Sequence, residues 1–525
     1  MLVFPDKRAL VVRARNPDQL LSLIPTARPL TVQGQRFVAV PHRLDETRVL
    51  QNMGMKPPSP VRYHYKWSGS YTPFKAQMDT TEFLTLHPRA YVLNEMGTGK
   101  TVASLWAYDY LRSLGKVHKL LVVCPLSTME RTWADEVFRH FPHLDYTVLH
   151  GSREKRLKLL KQDSDVYVIN HDGLKIIMDE LGRRHDIDIV IADEISQAAR
   201  NAQTDRWKQL NVIINKQLDG TRWAWGMTGT PTPNSPTDAW AQCRLITPST
   251  VPQYMRPFKD AVMKQVNNFL WVPRPEATEY VNRVMQPSIR FSRAECVDLP
   301  ECVYQTRTVA LTPEQTKAYK SMLSKLKAEL EGGEILAVNE AVKTSKLVQI
   351  ATGVAYDTNG EEVTVDATPR MGVTLEIIEE AAGKTIVFVP FVSAVRHVAA
   401  FLKSKGIATA VIYGEVSKGD RDKIFSDFQN DPLLRVIVAQ PRAMSHGLTL
   451  TAANTIIWYA PTFSNDIYEQ ASARITRPGQ KLSQLIVNIE GSPVEQHMYA
   501  RLKNKQKMQG LLLTLVETSR TPVTA

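Results

Sequence analysis

At 525 residues the chain exceeds one ordinary domain and suggests about three. With 43% hydrophobic and 22% charged residues it reads as globular and soluble, and no apolar run approaches the ~20 residues that cross a bilayer. The balance of 65 basic against 53 acidic residues, +12 overall, suits a polyanionic partner.

The first residues, MLVFPDKRALVVRAR, place an acid early and contain no uninterrupted apolar core, so no secretory signal is expected and a cytoplasmic location follows. Residues 1–70 read as a small α+β module, with strands at ALVVRA and RFVAV and helices at PDQLLSLI and RLDETRVLQNMG. Next, VRYHYKWSGSY (61–71) interleaves Arg62 and Lys66 with Tyr63, Tyr65, Trp67 and Tyr71. Such a mixture can stack bases and meet phosphates, but burying the module's edge against the next domain is the preferred use of those rings.

AYVLNEMGTGKTVASLWAYDYL (90–111) runs apolar strand, glycine loop, helix. Glycines let backbone N–H groups approach phosphate oxygens, and the helix N-terminus adds partial positive charge. In the loop Met96, Gly97, Thr98, Gly99, Lys100 and Thr101, Lys100 would reach the β- and γ-phosphates of ATP and Thr101 would ligate Mg²⁺. The strict pattern has Gly where this chain has Asn94; Gly97, Gly99, Lys100 and Thr101 satisfy the shorter GxGKT form. Downstream, IDIVIADEISQ (187–197) ends an apolar strand in Asp193 and Glu194. The first carboxylate can hold Mg²⁺ and the second can orient the attacking water; an Asp-Glu pair can also simply cap the next helix.

Further buried strands are expected at LLVVCP (120–125), VYVIN (166–170), TIVFV (385–389), VIVAQ (436–440), TIIWYA (455–460) and LIVNI (485–489). They fall into two α/β lobes, roughly 90–230 and 384–490, with helical matter at 313–333 and 340–353 between them. Cys124, Cys243, Cys296 and Cys302 lack a metal-binding spacing, so reduced thiols and no structural metal are expected.

From about residue 71 to 515 the chain resembles superfamily-two helicases, specifically their Swi/Snf-type double-stranded DNA translocase branch. YTPFKAQ (71–77) looks like the adenine-reading element, NEMGTGKT like the family's DEMGLGKT, and VVCPLSTMERTWADEV (122–137) like motif Ia with its downstream Trp133. GMTGTPTPNSPTDAW (226–240) resembles the third motif, GKTIVFVPF (383–391) the fourth, SHGLTLTAANTIIWYAP (445–461) the fifth and QASARITRPGQ (470–480) the sixth. DEIS departs from the family's DEAH at Ile195 and Ser196, which puts inter-lobe signalling through the missing His in doubt.

The resemblance implies an α/β fold of two tandem RecA-like lobes sandwiching one ATP, with helical insertions and the N-terminal module. The lobes would occupy 71–290 and 373–515, with a helical insertion and linker at 291–372 and a tail at 516–525. It further implies that Gln77 reads adenine, that Gly447 and Gln470 complete the nucleotide site, and that Thr228, Gly229 and Thr230 couple it to DNA. Arg474 and Arg477 would supply catalytic charge from the second lobe. Ser127, Thr128, Asn170, Pro390, Ser445 and Thr449, with Arg153 and Arg156 less firmly placed, match positions that touch backbone phosphates. The expected protein is a monomeric, DNA-stimulated ATPase moving on duplex or branched DNA in a bacterial cell or phage-infected host. A strand-separating or fork-remodelling helicase shares every motif. A non-catalytic DNA-binding scaffold is disfavoured by the intact Lys100, Asp193, Glu194 and Arg477.

Overall fold

The computed structural model describes residues 1–69, 72–216, 223–266, 271–296, 302–331, 337–356, 362–444, 450–476 and 480–503. They fall into two compact units, Met1–Val297 and Asp298–Ala525.

The first unit opens with a four-stranded antiparallel sheet in the order Leu2–Phe4, Ala9–Val12, Gln35–Pro41, Arg28–Val32. Period-two alternation turns Leu10, Val12, Val38 and Val40 onto one face, where they form a core with Leu20, Ile24 and Leu50 of the helices Pro17–Leu23 and Leu44–Asn52. The first of these helices starts where its residues dictate: the Asn16 side chain accepts from the Gln19 N–H, and Pro17 fills the first turn. The aromatic stretch that follows is consumed in packing. Trp67 meets Trp106 edge-on with centroids 5.4 Å apart, Tyr65 meets Tyr110 at 5.7 Å, and the Tyr65 hydroxyl donates to Asp109. Tyr71 lies outside the described residues.

The main sheet of this unit has seven parallel strands, ordered Ser288–Ile289, Arg89–Val92, Trp223–Met227, Ile187–Asp193, Lys119–Cys124, Val166–Asn170, Tyr146–Val148. Both faces are covered, which is why these strands read as continuous apolar runs. Leu121, Val123, Ile169, Val190 and Ala192 face one core, while Leu120, Val122, Val168, Ile189 and Ile191 face the other.

The second unit repeats the plan with six parallel strands: Cys302–Thr308, Gln484–Glu490, Ala453–Trp458, Lys384–Phe388, Val436–Ala439, Thr409–Ile412. Ile386, Phe388, Ile437, Ile456 and Trp458 pack into one core, and Val387, Val436, Val438, Ile457 and Val487 into the other. The edge strand Cys302–Thr308 comes from the stretch read as insertion and linker, and it pairs along its full length with Gln484–Glu490. Buried beside this sheet, Arg370 and Glu495 form an ion pair at 2.8 Å with 2% and 0% of their side chains exposed. The Gly491 N–H and the Ser492 hydroxyl also donate to Glu495, so the buried charge keeps hydrogen-bond partners. Among the described residues no helix is long and apolar enough to cross a membrane.

Candidate nucleotide site

Parallel strands deliver all their C-terminal ends to one edge, and loops carrying chemistry collect there. In the first unit three adjacent strands do so. Met227 pairs with Val92 on one side and with Asp193 on the other, so the glycine loop, the acidic pair and Thr228–Thr230 leave the sheet side by side. Gly229 packs on the start of the glycine loop: a Cβ there would lie 3.5 Å from the Asn94 carbonyl oxygen and 3.6 Å from the Met96 nitrogen.

The loop itself turns on Gly97 and Gly99, whose φ values of +84° and +76° lie where side chains other than glycine are strained. At Gly99 an added Cβ would also press on the Gln77 amide nitrogen, so that side chain would have to shift. Gly99 caps the helix Lys100–Ser113, so the helix dipole opens into the loop. The Lys100 ammonium donates to the carbonyls of Asn94 at 2.8 Å and Glu95 at 3.1 Å, and Thr98 closes the turn by donating to Glu95 O. Thr101 occupies the first turn of the helix, half-buried like Met96.

Asn94, the departure from the strict pattern, has a use of its own. Its buried side chain donates to Thr80 at 2.9 Å and accepts from the Phe291 N–H at 3.0 Å, fastening the loop to two distant segments. Gln77 is 2% exposed; its side-chain oxygen accepts the Phe74 N–H, so in this geometry it caps the helix Lys75–Leu86 and lies against Gly99.

Asp193 ends its strand with its side chain held from two directions. Trp133, wholly buried, donates its indole N–H to Oδ2 at 3.0 Å, and the Glu194 N–H donates to Oδ1 at 3.1 Å. Burial raises the Asp193 carboxyl above the ordinary range, against the Trp133 hydrogen bond and the Lys100 charge, which favour the ionised form. A third contact fixes the backbone: His171 Nε2 lies 3.0 Å from the Asp193 carbonyl oxygen. A carbonyl only accepts, so that nitrogen carries the proton; burial pushes the imidazole down to about 4 and leaves the ring neutral. These oxygens suit a hard divalent cation, since each carboxylate oxygen keeps acceptor capacity after one hydrogen bond.

Glu194 follows in the left-handed region, at φ +48°, an uncommon and costly conformation for a residue with a side chain. That turn aims its carboxylate at the third loop. The buried Thr228 hydroxyl lies 3.4 Å from Glu194 Oε2 and 3.0 Å from the Ser196 hydroxyl, and it accepts from the Thr230 N–H at 3.3 Å. Ser196 stands where the family carries His, so a hydroxyl makes the link between the acidic element and the third motif here.

The other expected site residues divide sharply. Ser127 is exposed just beyond the strand Lys119–Cys124, and Thr128 is buried with its hydroxyl on Pro125 O. Arg156 is 5% exposed and donates to Leu149 O, Gly151 O and the Asn170 side chain, so it orders Asn170 and the 149–151 segment instead of offering its charge to solvent. Arg153 pairs with Glu180 at 2.9 Å. In the second unit Pro390 follows the strand Lys384–Phe388, and Gln470 is buried in the helix Asn465–Ser472. Arg474 lies in the turn after that helix; it is 1% exposed, and its carbonyl accepts from the Leu450 N–H. Ser445, Gly447, Thr449 and Arg477 lie outside the described residues.

Residues 89–359 match the SNF2-related domain, and residues 370–479 match the helicase conserved C-terminal domain. The chain belongs to the SNF2-related family, and its two parallel sheets are the tandem RecA-like lobes of a helicase-like ATPase core. Membership implies the use of ATP. Protein p41 of Acyrthosiphon pisum secondary endosymbiont phage 1 is 26% identical over 81% of this chain and 94% of its own length. The mouse chromodomain-helicase-DNA-binding protein 1-like is 23% identical over 80% of this chain, and an uncharacterized ATP-dependent helicase of Mycoplasma genitalium is 24% identical over 81%. The chain spans only 47% and 40% of those two relatives. Among solved structures, the Sulfolobus solfataricus SWI2/SNF2 ATPase core in complex with dsDNA shares 24% identity over 86% of this chain and 94% of that one, with a TM-score of 0.40.

Proposed function

We propose that this chain is a DNA-driven motor that hydrolyses ATP to move along duplex DNA, or along the duplex arms of a branched one. The observation that carries the reading is the single network joining Glu194, Thr228, Ser196 and Thr230 beside the glycine loop. It ties the group suited to activate water to a loop that can report on a second ligand.

In this reading the N–H groups of Gly97 to Thr101 and the Lys100 ammonium bind the β- and γ-phosphates. Thr101 and Asp193 would hold a Mg²⁺ ion, whose charge offsets that of the phosphates. Glu194 accepts a proton as a water oxygen bonds to the γ-phosphorus and the bond to the bridging oxygen breaks, releasing ADP and phosphate. Trp133 and His171 act through Asp193, fixing its side chain and its backbone. Gln77 is assigned to the adenine edge, while Gly447 and Gln470 complete the nucleotide site from the second lobe. Arg474 and Arg477 answer the charge that spreads over the transferred phosphoryl. Ser127, Thr128, Asn170, Pro390, Ser445 and Thr449 are assigned to the DNA backbone, with Arg153 at the rim; Arg156 is assigned to ordering Asn170. The chain works as a monomer in the cytoplasm of a bacterial cell or phage-infected host.

ATP turnover measured against duplex, single-stranded, forked and RNA ligands tests the proposal. Duplex-containing DNA is expected to raise turnover at least as much as single strands. Affinity should fall steeply with salt, as binding to several phosphates requires. Equal turnover with and without any nucleic acid would overturn it.

A further inference from the structure

The helices Pro17–Leu23 and Leu44–Asn52 cover one face of the amino-terminal sheet. Strand register puts a second set of side chains on the other. Phe4 lies opposite Ala9, which lies opposite Pro41; Arg28 lies opposite Ala39, and Leu30 opposite Phe37. The edge strands of this outer face are open, with Leu2 63%, Phe4 42%, Leu30 37% and Val32 47% exposed, while Val11, Phe37 and Ala39 on the central strands are half-buried. The module's core is complete without it.

The rim is strongly positive. Residues 1–43 hold seven basic side chains against two acids, Asp6 and Asp18. Lys7, Arg8, Arg13, Arg15, Arg28 and Arg36 are all exposed, and none of them forms an ion pair among the described residues. An apolar platform carrying two phenyl rings, with Arg28 on the same face and further basic residues at the ends of its strands, has the chemistry of a surface that stacks bases and meets phosphates at its edge. A duplex hides its base faces and offers only charge and groove, so the apolar centre would be wasted on it. Phe4 and Phe37 stand two strands and four residues apart, about 17 Å from strand geometry, which is room for a run of bases.

We propose that this outer face binds a single-stranded polynucleotide. The site lies outside both matched domains, the first of which begins at residue 89, and the inference stands independently of the motor reading. For the motor it supplies a grip on an unpaired strand next to the duplex that the lobes would follow.

The test uses the full chain without nucleotide and measures anisotropy of labelled dT20, U20 and a blunt duplex. Phe4→Ala with Phe37→Ala is expected to weaken single-strand binding at least tenfold, since each stacked base is worth ~1–3 kcal/mol, and to leave duplex affinity within about twofold. Arg28→Glu, an exposed change that leaves the core untouched, should weaken the same binding and flatten its salt dependence by close to one phosphate contact. A loss on either single strand supports the proposal, and the strand that binds tighter names its sugar. Unchanged single-strand binding in both variants would overturn it. So would an equal loss for duplex, or sedimentation showing that the face instead joins two copies of the chain.

Discussion

Replacing Arg477 with Ala is expected to cut DNA-stimulated turnover by about 10³–10⁵-fold at saturating ATP and DNA, with little change in either affinity. The argument is electrostatic. The first lobe supplies Lys100 and the helix N-terminus, but charge spreading over three phosphoryl oxygens in the transition state calls for a further planar donor. In the string QASARITRPGQ, Arg474 and Arg477 are the candidates. Arg474 is 1% exposed. Arg474→Ala should therefore lower thermal stability as well as turnover. Arg477→Lys should rescue little, because a point charge lacks the two-pronged geometry. A surface ion pair would be worth about 0–1 kcal/mol and would have no kinetic consequence. Near-wild-type turnover in both Arg477→Ala and Arg474→Ala would refute a site shared by the two lobes.

Glu194→Gln should abolish multiple turnover while ATP still binds, with a rate loss of roughly 10²–10⁴. The amide keeps the shape of the side chain but cannot take the proton of the attacking water. Lys100→Ala makes the contrast, weakening binding as well as hydrolysis because it deletes the charge facing the phosphates. Nucleotide titrations run beside turnover assays separate the two. Thr228→Val probes the link from the other end: it keeps side-chain volume but removes the hydroxyl that lies 3.4 Å from Glu194 and 3.0 Å from Ser196. If Glu194→Gln turned over at the wild-type rate, the base would lie elsewhere.

The parts of the fold and site that could be read from the sequence are those encoded locally. A glycine loop between a strand and a helix, and an acidic pair at a strand's end, each announce themselves within a dozen residues. The buried strands do so as well, because sheets covered on both faces need unbroken apolar runs. What stayed hidden depends on tertiary contacts. Asn94 breaks the local pattern because its side chain serves a tertiary contact, accepting from the Phe291 N–H 197 residues away. Trp133 was visible as part of a motif, yet its hydrogen bond to Asp193 crosses 60 residues, and His171 carried no signal beyond following an apolar strand. Arg156 has the composition of a phosphate contact but spends its donors inside the lobe. The strand Cys302–Thr308 escaped because it is an edge: six of its seven residues are exposed, so CVYQTRT lacks the apolar density of its neighbours.

The most direct test of the motor is displacement of a triplex-forming strand from a blunt duplex, which requires movement along DNA and no separation of its strands. The account predicts that the wild-type chain displaces the third strand only while ATP is hydrolysed, and that Glu194→Gln with ATP leaves it in place. DNA-stimulated hydrolysis with no displacement would contradict translocation, and displacement by Glu194→Gln would show that hydrolysis does not drive it.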